Sequence, residues 1–579
     1  MVAAAAPVRA AWRHTAGLAL LTFALWLPFG WNVAPLMDGW VLLARADVND
    51  LPIFYPQVSP TRPLTYAPWV ISTLLTPESF VAQNALYALA LFGTGAAMYG
   101  LLRRLLPDQP ALAWLGAALL IVFPADHGIF YLDAINIRCS LMFTVIAAYG
   151  LLLYWDRPSL ARLAVMLAAQ VLSLLMYEIG IPLLLLLPLL LVWRDGRPTR
   201  HWWGVAALWS AFPLAWLVYF AATVLLGDAS YARTMLDTSG AAAQLITGLA
   251  YVYRQHLWTG FALGWSHRFD VPLTFVALAA LIGVGVGLVG WASAQRPLPT
   301  RRAAWLAVWG LAALLAGFVM YIPTAEFNNI TYIWRLYYFT SVGAVVALIA
   351  GLLALLNLRL RLRLALFAVG AFALIGLDQP LNYLPLALAF AGLLALPRRA
   401  AIVGCMALLI GLAALRGLEQ HNGHAARGEN QKRIAAGVVA QAPALADGTL
   451  LLALDGSTEG YLRAFGFNYT FDYALALVYG HHRYGGRICY YVRPRPNEFC
   501  RFEDGQVIVP GVWGGEQRYP YERVVAFRYD EINGMVLLDA IPETYLSGAD
   551  ASAYNPRALI DADATPPPRL FTMLERVDQ

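Results

Sequence analysis

The chain has 579 residues, of which 60% are hydrophobic and 13% charged, with a net charge of +5 and a mean hydropathy of +0.59. A soluble globular chain is about 45–50% apolar and about 25% charged, so this apolar surplus cannot be hidden in a soluble core and lipid must solvate much of it. The positive charge is no nucleic-acid signal, because the arginines sit in short clusters between apolar runs, where membrane topology accounts for them.

Residues 1–13 are short and basic and lead into an apolar stretch with no A-x-A cleavage site, which reads as an uncleaved first span. Apolar runs then recur at 14–33, 80–102, 109–124, 137–155, 159–177, 179–193, 203–226, 271–293, 303–322, 338–357, 363–377, 383–397 and 400–417. They predict about thirteen membrane spans. Every second connection is short and basic: Arg9 and Arg13, Arg103 and Arg104, Arg157 and Arg162, Arg194 to Arg200, Arg296 to Arg302, Arg359 to Arg363, and Arg398 with Arg399. The bias places the N-terminus in the cytoplasm, and an odd count places the C-terminus across the membrane. The expectation is a multi-pass protein of the plasma (inner) membrane.

The other connections are longer and carry the polar side chains: 34–79, 125–136, 227–270 and 323–337. A channel or symmetric transporter has no need of that asymmetry, and no inverted repeat is visible. From Glu419 the composition turns polar. A helix with an apolar stripe is expected over 421–445, then strands at "GTLLLALDG", "GQVIVPGVW", "ERVVAFRYD" and "GMVLLDAI". The predicted domains are 1–418, a polytopic α-helical membrane part, and 419–579, an extracytoplasmic mixed α/β domain. Cys139 and Cys405 fall in apolar runs and read as small buried hydrophobes. Cys489 and Cys500 lie in the polar part and are candidates for one disulfide in an oxidising compartment, free thiols being the alternative.

Few ionisable groups lie where chemistry is expected. Asp38, just past the first span, is either solvated loop or a general base that takes the proton of an attacking hydroxyl. Arg62, in "SPTRPLTYAPW", is either a snorkelling arginine or a phosphate contact. Asp126, His127 and Asp133 form an acid/histidine cluster. Their spacing matches no known metal motif, so no metal is assigned, although a divalent ion near Asp126 and His127 fits the donor types. Arg138 is costly in lipid and should face the protein interior or the interface. Glu178 lies between two apolar runs and needs a cavity or a structural arginine partner. Arg335 heads the tenth span beside Trp334, Tyr337 and Tyr338, against the positive-inside bias.

Taken in order, an acid after the first span, "RPLT" at Arg62–Thr65, "PADHGIFYLDAINIR" ending at Arg138, "YEIGIPLLLL" around Glu178 and "RLYYFTSVG" at Arg335–Gly343 resemble a known pattern. It is that of the GT-C superfamily of polyprenyl-phosphate-sugar-dependent glycosyltransferases. The likeness is nearest to protein O-mannosyltransferases and to transmembrane-and-tetratricopeptide-repeat mannosyltransferases, without the repeats. The thirteen-span layout also resembles oligosaccharyltransferase subunits and lipid A aminoarabinose transferases. The resemblance covers about residues 14–360.

It implies that Asp38 matches the catalytic aspartate, that Arg335 contacts the donor phosphate with help from Arg62 or Arg138, and that Asp126, His127, Asp133, Glu178 and Tyr338 line the substrate pocket. Tyr177 stands where the family has a lysine, and Gly39 where some relatives carry a second acid. The expected function is inverting transfer of a hexose, mannose being one choice, from a polyprenyl-phosphate donor to a hydroxyl of a glycan, lipid or protein on the extracytoplasmic side. No cofactor is required and no nucleic acid is involved. The rival reading is a transporter or flippase of a lipid-linked or amphipathic substrate.

Overall fold

The structure is a computed structural model. It describes residues 5–36, 38–49, 51–57, 59–77, 79–124, 132–226, 241–291, 298–322, 337–375, 380–455, 468–490, 500–511, 515–530, 534–546 and 548–565.

The helices in chain order are α1 (Ala5–Trp26), α2 (Asp38–Val48), α3 (Ala67–Leu75), α4 (Val81–Leu105), α5 (Pro110–Ile121), α6 (Ile135–Asp156), α7 (Leu160–Met176), α8 (Ile181–Leu186), α9 (Leu189–Asp195) and α10 (Arg200–Leu226). Then come α11 (Ala241–Arg254), α12 (Gly260–Ser266), α13 (Leu273–Trp291), α14 (Thr300–Ala316), α15 (Tyr337–Leu356), α16 (Leu360–Ile375), α17 (Pro380–Ala395), α18 (Arg398–Gln441), α19 (Asn468–Tyr479) and the single turn α20 (Glu543–Leu546). Every expected apolar run falls on one or two of these helices. Among the described residues seven helices are long and apolar enough to cross a membrane, namely α4, α6, α10, α13, α14, α15 and α18, while α5, α7 and α17 are shorter apolar helices. Large apolar side chains face outward with nothing over them, as Val218 (69% exposed), Leu288 (66%) and Phe372 (70%) do. Water would penalise that surface and lipid does not.

Small residues let the spans approach closely. A Cβ on Gly310 would meet the Ala347 backbone nitrogen at 2.5 Å, and one on Gly283 would meet the Ala407 carbonyl at 2.8 Å. With no hydrophobic drive between helices in lipid, such backbone proximity supplies the packing contacts.

Two connections read as loops are helical. The first, 34–79, contains α2 and α3. The second, 227–270, carries α11, a π-helical turn at Gln255–Thr259 and α12, with Val252, Gln255, His256, Trp258, Phe261 and Ala262 buried. Polar residues at 254–256 interrupt its apolar pattern, and tertiary packing overrides that local signal.

Helix α18 sets the layout. It runs 44 residues without a break, about 66 Å at 1.5 Å per residue, against about 30 Å of hydrocarbon. The expected domain boundary at 418/419 therefore falls inside one helix. At its start Arg398 bonds Asn357 at the end of α15 and Arg399 stacks over Trp291 of α13. Its last turns bury Ile434, Ala435, Val438 and Val439 against the C-terminal domain, where a Cβ on Gly437 would meet Met535 at 3.0 Å. The arginine end of the bundle and the domain end are thus opposite ends.

Among the described residues the domain holds three sheets. Strands are β1 (Ala444–Leu445), β2 (Leu450–Asp455), β3 (Gly485–Tyr490), β4 (Arg501–Glu503), β5 (Gln506–Pro510), β6 (Glu516–Pro520), β7 (Val524–Asp530), β8 (Gly534–Leu537) and β9 (Ile560–Asp561). The main sheet has the order β3-β2-β7-β8, with β2 parallel to both neighbours and β8 antiparallel. A central parallel strand is covered on both faces, which is why "LLLAL" shows no alternation: Leu450 to Leu454 are all fully buried. Strands β4-β5-β6 form an antiparallel sheet, and β1 pairs with β9. Cys489 and Cys500 are joined as a disulfide with a Cα–Cα distance of 5.3 Å, tying β3 to the β4 strand.

Candidate functional site

The first connection is clamped between α18 and the C-terminal domain. Trp40 Nε1 donates to Gln431 Oε1 at 2.9 Å. Lys432 Nζ donates to the Asn32 carbonyl at 2.9 Å and to Glu429 at 2.8 Å, and Gly428 packs on Ala34, where a Cβ would sit at 3.2 Å. Arg45 Nη1 donates to Tyr66 Oη at 3.2 Å and lies 5.8 Å over the Tyr473 ring of α19. Burial opposes the Arg45 charge, but its bonds to Tyr473 and Tyr66 outweigh that and hold the guanidinium above its usual range. These contacts fix the direction in which α2 begins.

Asp38 is the first residue of α2 and is exposed. A carboxylate there is favoured by the unpaired N–H groups of the first turn. Behind it the chain must be small. A Cβ on Gly39 would collide with the Asp133 carboxylate and would reach Pro35 Cβ at 2.6 Å. Asp133 is buried in a single turn, Leu132–Ala134, that leads into α6. The Asp133 carboxylate thus packs on the residue next to Asp38, 95 positions away in sequence, and Gly39 leaves room for it.

The first turns of α6 carry the next groups. Asn136 Nδ2 donates to Thr65 Oγ1 at 2.8 Å, binding "RPLT" to α6. The buried Arg138 donates from Nε to Tyr87 Oη of α4 at 3.0 Å, and its guanidinium lies 4.0 Å over the Tyr338 ring of α15. A cation in apolar surroundings needs such partners. Both Arg138 and Tyr338 are therefore interior groups of the domain end.

Arg62 and Glu178 are paired. Arg62 donates from Nε to Oε2 at 2.7 Å and from Nη2 to Oε1 at 2.6 Å. Glu178 is 1% exposed and the Arg62 side chain 30%. The guanidinium also lies 4.4 Å over the Tyr177 ring, and Tyr177 Oη bonds Tyr321 Oη at 2.9 Å. The structural arginine partner considered for Glu178 is thus Arg62 itself, so one edge of a group expected to grip phosphate is already taken. Burial opposes the Arg62 charge, but Glu178 and Tyr177 more than offset it and leave the guanidinium above its usual range. Tyr177 supplies a ring to this pair rather than a second cation. The turn after Glu178 packs on α15, where a Cβ on Gly180 would meet Phe339 at 2.8 Å.

The candidate site therefore groups Asp133 against Gly39 beside Asp38, Arg138 over Tyr338, and Phe339 against Gly180 in the turn that holds Glu178, the partner of Arg62. Beside it is a pair that the sequence reading missed. His256 Nε2 bonds Thr340 Oγ1 at 2.6 Å while its Nδ1 bonds the Val252 carbonyl at 2.7 Å, and Phe123 stacks on the ring. Its only sequence signal was a histidine within an apolar stretch. The π-turn that carries His256 also lines an apolar cavity of about 340 Å³ with Trp258, Phe261, Leu311, Leu352, Phe367 and Leu409. π-turns recur at functional sites.

Asp126, His127 and Arg335 lie outside the described residues. Among the described residues no group of three metal-ligating side chains occurs.

No protein-family model matches the chain, and no curated protein matches it. Among solved structures it is similar to the crystal structure of ArnT from Cupriavidus metallidurans bound to undecaprenyl phosphate, at 12% identity and a TM-score of 0.39, over 82% of this chain and 85% of that one.

Proposed function

We propose that the chain is a GT-C-type membrane glycosyltransferase that moves a sugar from a polyprenyl-phosphate donor to an acceptor hydroxyl at the domain end of its spans. The observation that carries this reading is the packing of the buried Asp133 carboxylate against Gly39, the residue next to the exposed Asp38, with Arg138 in the first turns of the helix that follows Asp133. An exposed carboxylate fixed to a helix start suits a general base, since it is open to an acceptor and held in place. A cation on aromatic rings nearby suits a departing phosphate. The apolar cavity lined by Trp258, in the same turn as His256, is of the kind that a prenyl chain would fill.

In the reaction the acceptor O–H gives its proton to Asp38 and the oxygen attacks the anomeric carbon. The bond from that carbon to the phosphate oxygen breaks, and polyprenyl phosphate leaves with the electron pair. Direct displacement inverts the centre. Arg335 and Arg138 stabilise the leaving phosphate, and Arg62 contributes only through the edge that Glu178 leaves open. Asp126, His127, Asp133, Glu178 and Tyr338 shape the pocket. The topology that accompanies this reading has about thirteen spans in the plasma (inner) membrane, with the N-terminus cytoplasmic and the domain of 419–579 extracytoplasmic. The sugar is a hexose, mannose being one choice.

Purified chain incubated with synthetic polyprenyl-phosphate hexoses tests this. Asp38→Asn should lower the transfer rate by roughly 10²- to 10⁴-fold, and Arg335→Ala should lower it as well. Full activity in Asp38→Asn removes the base assignment. Absence of transfer from any such donor, together with movement of the donor across liposomes, replaces the enzyme with a flippase.

A further inference from the structure

At the arginine end of the bundle, α9 and α14 enclose a groove that the reaction above does not use. Its cavity measures about 650 Å³. It runs along α14 from Arg302 to Ala312, about 15 Å at 1.5 Å per residue, which is the depth of one leaflet. Its walls are apolar, formed by Leu189, Val192, Val308 and Ala312 with the rings of Trp305 and Trp309. Trp305 is 59% exposed and Val308 55%, so the groove opens sideways to lipid.

The groove stays apolar because its polar backbone groups are answered from behind. The break between α8 and α9 at Leu187 and Pro188 frees carbonyl groups. Trp209 Nε1 donates to the Leu184 carbonyl at 2.7 Å, Trp202 Nε1 to that of Pro188 at 2.9 Å and Trp309 Nε1 to that of Leu186 at 3.4 Å. Trp193 Nε1 crosses to the Arg302 carbonyl at 3.0 Å and pins α9 to α14. The shape is therefore built into the fold.

Charge is confined to the mouth. Arg301 and Arg302 line it, and among the described residues neither forms an ion pair. Their neighbour Arg194 is neutralised by Asp156 at 2.8 Å and Asp195 at 3.2 Å. Two uncompensated guanidinium groups over an apolar channel one leaflet deep complement one kind of molecule: a phosphate head on an acyl chain.

We propose that this groove binds an anionic glycerophospholipid, its phosphate at Arg301 and Arg302 and one acyl chain along α14. Basic pockets between spans hold anionic headgroups in this manner, each arginine adding to the affinity. The site stands apart from the transfer reaction, and neither reading depends on the other.

The test is native mass spectrometry of the full chain incubated with equal amounts of phosphatidylglycerol and phosphatidylcholine of identical acyl chains. Wild type should retain phosphatidylglycerol with roughly 10- to 30-fold preference. Arg301→Gln with Arg302→Gln should bring the ratio near one, with the unfolding midpoint in phosphatidylcholine unchanged. Ala312→Phe, which fills the channel and keeps the charges, should lower retention of both lipids. Arg359→Gln with Arg361→Gln, exposed arginines elsewhere on the same end, should leave the ratio as in wild type. Equal retention of the two lipids by wild type overturns the proposal, and so does an equal loss of preference in the Arg359/Arg361 pair. Preferential retention of polyprenyl phosphate in a third arm overturns it too, in favour of a different ligand.

Discussion

Arg62 and Glu178 were both legible as unusual residues but not as a pair, because they lie 116 positions apart. Single-sequence periodicity reports faces and spans, whereas long-range ion pairing follows from how the chain closes on itself. Desolvation makes the pair consequential. Glu178 is nearly fully buried, and removing one partner of a buried pair leaves the other charge uncompensated, at about 3–5 kcal/mol for full burial. The partial exposure of Arg62 lowers that, so Arg62→Ala and Glu178→Ala should each cost about 2 kcal/mol. The double variant should show a coupling of about 1–3 kcal/mol in unfolding titrations in detergent. A coupling near zero would mean that the pair does not form and would return Arg62 to the donor phosphate. Asp38 and Asp133 teach the same lesson. Each was visible as an acid near an apolar run, but Gly39, read as the absence of a second acid, is the residue that admits one from elsewhere.

At the scale of elements, apolar runs located the helices well, because lipid leaves a helix few other ways to satisfy its backbone. Legibility failed where that constraint ends. The segment 241–266 mixes Arg254, Gln255 and His256 into apolar sequence and read as loop, yet it packs on the spans, with His256 bonded to Thr340 and to the Val252 carbonyl. Helix α18 differs: the domain limit expected at 418/419 lies within one continuous helix, whose polar stretch 419–433 mixes exposed residues with the buried His421, Gly428, Gln431 and Lys432. Its glycines differ in consequence. Gly423 is exposed with open space where a Cβ would stand, whereas a Cβ on Gly428 would press on Ala34 at 3.2 Å. Helix propensity favours alanine over glycine by about 1 kcal/mol. Gly423→Ala should therefore raise the unfolding midpoint, while Gly428→Ala should gain nothing or lower it by loosening the clamp on residues 32–40. Equal stabilisation by both would show that α18 does not rest on that segment.

For the whole molecule, the question is whether the C-terminal domain is an appendage or part of the site. Of its described elements β2, β5, β7 and β8 were readable, whereas β1, β3, β4, β6, β9 and α19 were not, and neither was its attachment, since the contacts that hold it come from residues of unremarkable type. Trp40 reaches Gln431, Arg45 reaches toward Tyr473, and α18 passes from span to domain without a joint. A helix continuous through 418/419 joins the spans to the domain and, through Gln431 and Trp40, to the helix whose first residue is Asp38. A chain ending at Leu418 loses Gly428, Gln431 and Lys432 together with the domain, and a chain ending at Gln441 loses the domain alone. If α18 is the clamp, the longer form should keep residues 32–48 protected from limited proteolysis in detergent, with α2 loosened only where α19 covered it. The shorter form should be cleaved there rapidly and unfold at a lower temperature. Equal protease resistance in both forms would place the support of α2 within the spans rather than on α18.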